Sequence, residues 1–76
     1  MKTVNRNKVI SVKEIMRKYR LTYQTINHYT DLGLLSVLFK KGNVRFYDKN
    51  SVKSRLKKIS RLMSEGYPLH LIRREL

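Results

Sequence analysis

Apolar side chains recur at helical spacing from Ile10 onward. Val12, Ile15, Met16 and Tyr19 share one face of a helix, the recurrence at three and four residues that marks an amphipathic segment. Ser11 followed by Glu14 supplies a capping box at its start, and Ile10 and Ile15 occupy the two positions of a hydrophobic staple. After a very short break, Thr22 is placed to cap a second helix in which Ile26, Tyr29 and Leu32 turn inward. Tyr23, Gln24, Asn27, His28 and Asp31 then share its other side. Gly33 ends this helix as a left-handed cap.

The period changes after Gly33. Leu34 to Phe39 and Val44 to Tyr47 are short β-branched or aromatic runs on either side of Lys40-Lys41-Gly42-Asn43, the pattern of a β-hairpin. Asp48 is positioned to cap a third helix. Its buried stripe is Val52, Leu56, Ile59 and Met63, with Leu62, and Gly66 ends it. Pro68 suits the first turn of a fourth helix that turns Leu69, Ile72 and Leu76 inward. Residues 1–8 are polar and basic and are expected to form a flexible arm, leaving 9–76 as one domain. The expected fold is mainly α: a two-helix helix-turn-helix, a β-hairpin wing and two further helices. This is the order of a winged helix-turn-helix, whose second helix enters the major groove of DNA.

Charge sharpens the picture. Eighteen Lys and Arg oppose five Asp and Glu in 76 residues, a net charge of +13. Self-repulsion on this scale points to a polyanionic partner. The charge is unevenly placed. Residues 21–39 contain no Lys or Arg, whereas residues 40–61 are rich in both and hold Asp48 as their one acid. Along the third helix, Lys49, Lys53, Lys57 and Arg61 recur every four residues. Like charges so spaced repel, and a nearby anion relieves them.

Other chemistries find little support. There is no Cys, hence neither a disulfide framework nor a thiolate metal site. His28 and His70 stand 42 positions apart, whereas a metal needs three or four clustered ligands. No carboxylate pair, nucleophile–base arrangement or phosphate-cradling glycine loop is present. No run approaches the roughly 20 apolar residues of a spanning helix. The expectation is therefore a soluble, non-enzymatic protein without cofactor or metal.

Three motifs carry a resemblance to the MerR family of bacterial transcription regulators, over residues 9–76. Thr25, Ile26, Tyr29, Leu32, Gly33, Leu34 and Leu35 match that family's T-I-R-Y-Y-E-x-L-G-L-L pattern. Arg45-Phe46-Tyr47 followed by Asp48 matches its wing, and Gly66-Tyr67-Pro68-Leu69 with Ile72 matches its closing motif. Asn27 and His28 depart from the Arg and Tyr usual there, and Ser36 replaces a common Pro. The resemblance implies phosphate contacts from Tyr29, Arg45 and Tyr47. It also implies dimerisation through a region absent from this chain, and a cytoplasmic, nucleoid-associated location.

Taken together, the expected partner is double-stranded DNA, with neither a membrane nor a small-molecule ligand engaged by this segment. Tyr23, Gln24, Asn27 and His28 are the candidates for base edges. Gln24 and Asn27, three residues apart, carry amides that match adenine. Backbone and wing contacts are expected from Thr22, Tyr29, Lys40 and Lys41, and from Asn43, Arg45, Tyr47 and Arg61. The chain alone is expected to be a monomer, with pairing on DNA left open. An excisionase-like architectural factor and a basic module for an acidic protein remain alternatives.

Overall fold

Ser11 closes one element and opens the next. In the computed structural model, which describes residues 8–76, it ends strand β1 (Val9–Ser11) and caps helix α1 (Val12–Tyr19). Both halves of the expected capping box form. The Glu14 backbone N–H donates to Ser11 Oγ at 3.2 Å, and the Ser11 backbone N–H donates to Glu14 Oε1 at 2.9 Å. Apart from Lys8, the expected arm lies outside the described residues. Strand β1 was not expected. Three residues are too few to display an alternation, and pairing with a distant strand is what defines this one.

Helix α2 spans Tyr23–Asp31, capped by Thr22, whose Oγ1 accepts from the Thr25 backbone N–H at 3.1 Å. The turn between α1 and α2 passes through Arg20 in the left-handed region, at φ 56°. At the far end of α2, Gly33 has φ 80°. There the Gly33 N–H donates to the Thr30 carbonyl at 3.0 Å and the Leu34 N–H to the Tyr29 carbonyl at 2.8 Å. That bond pair is a Schellman cap.

Leu34 and Leu35 do not begin the hairpin. Both are buried, because the cap turns the chain back so that Leu35 fills one core cluster and Leu34 the other. The hairpin consists of β2 (Val37–Lys41) and β3 (Val44–Asp48). Gly42, at φ 63° with no positive φ at Asn43, gives the two-residue loop the character of a type II′ turn. Leu38 forms an irregularity between the Val37–Tyr47 and Phe39–Phe46 pairs. The sheet is antiparallel with order β1-β3-β2, so β3 is central.

Helix α3 (Lys49–Ser64) follows directly, capped by Asp48, which accepts from the Ser51 N–H at 2.8 Å. A single turn, α4 (Leu69–Ile72), and a 3₁₀ turn over Arg73–Glu75 complete the chain. Pro68 stands at the N-cap of α4 rather than inside it. One core cluster gathers Ile10, Val12, Ile15, Ile26, Leu35, Tyr47 and Val52. The second holds Leu34, Ile59, Leu62 and Ile72, and Tyr29 and Leu56 touch both. Met63, expected in the stripe, is 47% exposed. The inward row of α3 runs Ile59 to Leu62, and Met63 lies one position, about 100°, around the helix. The architecture is the expected winged helix-turn-helix, helix-rich with a small antiparallel sheet.

Candidate nucleic-acid interface

The outer side of α2 follows from its inner one. Burying Ile26 turns Tyr23, Gln24 and His28 to solvent, with Tyr23 53% exposed. Thr30, on the inner side, bonds the Ile26 carbonyl at 2.7 Å and the Tyr47 hydroxyl at 2.8 Å. This ties α2 to β3, the central strand of the sheet. Tyr47 is therefore corrected from a DNA contact to a support: it is fully buried and its hydroxyl is already engaged.

Arg45, two residues earlier, lies on the same face of β3 as Tyr47. Instead of extending along the hairpin, it folds back against α2. Its Nη2 donates to Asn27 Oδ1, and its guanidinium carbon lies 5.7 Å from the Tyr23 ring centroid and 6.0 Å from that of Tyr47. Asn27 is accordingly half-buried rather than open like Gln24. Of the other wing residues, Lys40 pairs in register with Arg45 and shares its face, while Lys41 pairs with Val44 on the opposite face. Both lysines are exposed, as is Asn43 at the turn. Asn43, Arg45 and Tyr23, with Ser11 at the end of β1 and Lys13 of α1, line a groove of about 370 Å³ between helix and wing.

A different flank of α2 holds Tyr29, half-buried against both core clusters. It lines a groove of about 600 Å³ whose α3 wall includes Lys53 and Lys57. Arg61 continues that row and is exposed, 3.9 Å from Glu65 in an ion pair open to water. Thr22 is exposed, but its hydroxyl serves the helix cap and the Thr25 hydroxyl. Arg55 does not join the outer row; it donates to the Leu34 carbonyl at 3.1 Å and braces the loop after α2.

The geometry thus brings Tyr23, Gln24, Asn27, His28 and Arg45 onto one surface, with Lys40 and Asn43 beside it. Tyr29 faces α3, the helix that carries Arg61. Lys13, Lys53 and Lys57 were not among the residues expected to touch DNA. The four-residue recurrence identified the α3 lysines as a row, whereas nothing local marked Lys13 as a neighbour of Arg45.

The arrangement sets basic side chains of the wing and of α3 on the flanks of a polar helix face. Among the described residues no three His, Asp or Glu side chains cluster as metal ligands, and no helix is long and apolar enough to cross a membrane. No curated protein and no solved structure gave a significant match. The profile of a family described as MerR HTH family regulatory protein, however, matches residues 10–76, nearly the whole chain. The chain therefore belongs to the MerR helix-turn-helix family of DNA-binding regulators.

Proposed function

We propose that this chain binds double-stranded DNA sequence-specifically, as all or part of a bacterial transcription regulator acting in the cytoplasm on the nucleoid. Helix α2 enters the major groove and presents Gln24 and His28 to base edges, with Tyr23 at the margin. Lys40, Lys41 and Asn43 follow the adjacent backbone, and Lys53, Lys57 and Arg61 hold the backbone on the other flank.

The observation that carries this reading is the division of charge over the surface. The exposed side of α2 has polar hydrogen-bonding groups and no Lys or Arg of its own, while the wing and α3 on its flanks are basic. A helix that only had to attract a polyanion would itself be basic. Selection from a random duplex pool, followed by salt titration on the winning site, tests the proposal. A recurring duplex motif, bound with steep salt dependence, is the expected result. Equal retention of all sequences, or binding indifferent to salt, would overturn it.

A further inference from the structure

Helix α2 carries no cation, yet its exposed side has one. The fold delivers it from another element. Tyr47 bonds Thr30 and so fixes β3 against α2. Two residues earlier on the same strand face, Arg45 is laid across the N-terminal half of the helix, on Asn27 and beside Tyr23.

We infer that Arg45 reads a guanine edge in the major groove and that Asn27 is its positioning residue rather than a base reader. This rests on the proposed duplex binding. Asn27 offers one carboxamide oxygen, and Arg45 Nη2 occupies it. One of that oxygen's two lone pairs, on the acceptor a bidentate pair with adenine uses, is thus engaged and the amide is held toward Arg45. Among the described residues this leaves Gln24 as the amide with no such partner on this face. Arg45 has Asn27 as its one hydrogen-bond partner among the described residues, so a further N–H edge of the fork remains to be used.

Holding matters because a free arginine has many rotamers to lose. Here an acceptor on one side and two aromatic rings at 5.7 and 6.0 Å restrict the guanidinium before any ligand arrives. A side chain that merely neutralised phosphate would gain little from such fixation, and an unrestrained Lys40 serves for that. A planar fork held at a helix face suits the paired acceptors O6 and N7 of guanine, the commonest specific contact that arginine makes in the major groove.

The experiment starts from the duplex site selected by the unmodified protein and compares it with Arg45→Lys, Arg45→Ala, Asn27→Ala and the double Asn27→Ala/Arg45→Ala variant. Each variant's thermal melting is checked alongside its base preference. The expected site contains one G·C pair preferred by about tenfold or more. Arg45→Lys abolishes that preference while leaving the salt slope intact. Asn27→Ala weakens preference at the same pair and changes nothing further once Arg45 is Ala. Replacing that guanine with 7-deazaguanine weakens binding of the unmodified protein but not of Arg45→Lys, a readout that does not depend on the variants' stability. If Arg45→Lys keeps every base preference, or 7-deazaguanine is bound as well as guanine, Arg45 contacts only phosphate and the inference fails alone. If Asn27→Ala shifts preference at some other pair in the Arg45→Ala background, Asn27 reads bases itself and the inference fails. Absence of any preferred duplex site would remove both this inference and the function it rests on.

Discussion

Helices α2 and α3 pack against the same core and turn opposite chemistry outward. Helix α2 buries Ile26 and exposes Tyr23, Gln24 and His28. Helix α3 buries Val52, Ile59 and Leu62 and exposes Lys53, Lys57 and Arg61. The α3 row lacks interspersed acids; Glu65, just past its end, is the first. Repulsion along that row weakens the free helix by a few tenths of a kcal/mol per pair and is relieved when an anion arrives. The α2 face has no such self-repulsion, so its side chains are free to be chosen for shape and hydrogen bonding. On the proposed duplex-binding function, α3 attracts the DNA and α2 discriminates among its sequences.

The largest consequence is in salt dependence. With about six phosphates neutralised, log affinity falls against log salt with a slope near −5, roughly a thousandfold loss between about 50 and 200 mM. The combined Lys53→Ala, Lys57→Ala and Arg61→Ala change should flatten that slope by up to about 3, ~0.9 for each phosphate no longer neutralised, for every sequence alike. Fluorescence anisotropy at several salt concentrations measures it. A variant that kept the slope but lost base preference would exchange the roles of the two helices.

The converse change is smaller. Gln24→Ala should cost about 1–3 kcal/mol of discrimination at one or two A·T pairs and leave the salt slope alone, because no charge is removed. Competition between the selected site and single-pair variants of it reads this directly. Uniform weakening of all sites would place Gln24 among the residues that hold the backbone.

How far each helix was legible in the sequence follows the same division. The caps at Ser11, Thr22 and Asp48 and the turns at Gly33 and Gly42 are local chemistry, written in a few adjacent residues, and they formed as expected. The α3 charge row is equally local. What could not be read was pairing across long separations. Strand β1 exists through its register with β3, almost 40 positions away. The Arg45–Asn27 bond joins residues 18 apart, and with it went the assumption that Asn27 was free. The wing motif placed Tyr47 at the DNA, although an inward strand position and a hydroxyl partner on α2 take it into the core. Leu34 and Leu35 looked like strand because buried apolar runs are alike in either setting.

The ends of the two helices allow a third comparison. Both finish on a left-handed glycine, Gly33 at φ 80° and Gly66 at φ 96°. A Cβ at Gly66 would meet nothing within 4 Å, whereas one at Gly33 would lie 3.0 Å from Nε of Arg73. Alanine at either position carries the left-handed penalty of about 1–2 kcal/mol. Gly33→Ala should cost more than Gly66→Ala, but by less than about 1 kcal/mol, because the side chain that must move aside is the exposed, flexible Arg73. Urea denaturation of the two variants measures the difference. Equal costs would show that Arg73 yields freely and that the C-terminal turn does not brace the end of α2.

The smallest effect belongs to the entrance of α2. Helix α1 ends on the same kind of cap as α2 and α3, with the Leu21 N–H donating to the Met16 carbonyl at 3.2 Å, but its left-handed residue is Arg20 instead of glycine. That conformation crowds Cβ against the following carbonyl oxygen, a strain of about 1 kcal/mol that glycine does not feel. Arg20→Gly relieves it, and part of the gain is lost because glycine also frees the unfolded chain. The net expectation is a stabilisation of about 0.5 kcal/mol, or roughly 2–4 °C in melting temperature for a domain of this size. Scanning calorimetry resolves a shift of that size. A fall in melting temperature would mean that the Arg20 side chain contributes more than its backbone strain costs. The same variant sharpens the contrast between the helices. Arg20 is exposed beside the N-terminus of α2, and if its charge serves only in the α3-like role, losing it reduces the salt slope by ~0.9 at most and leaves every base preference in place.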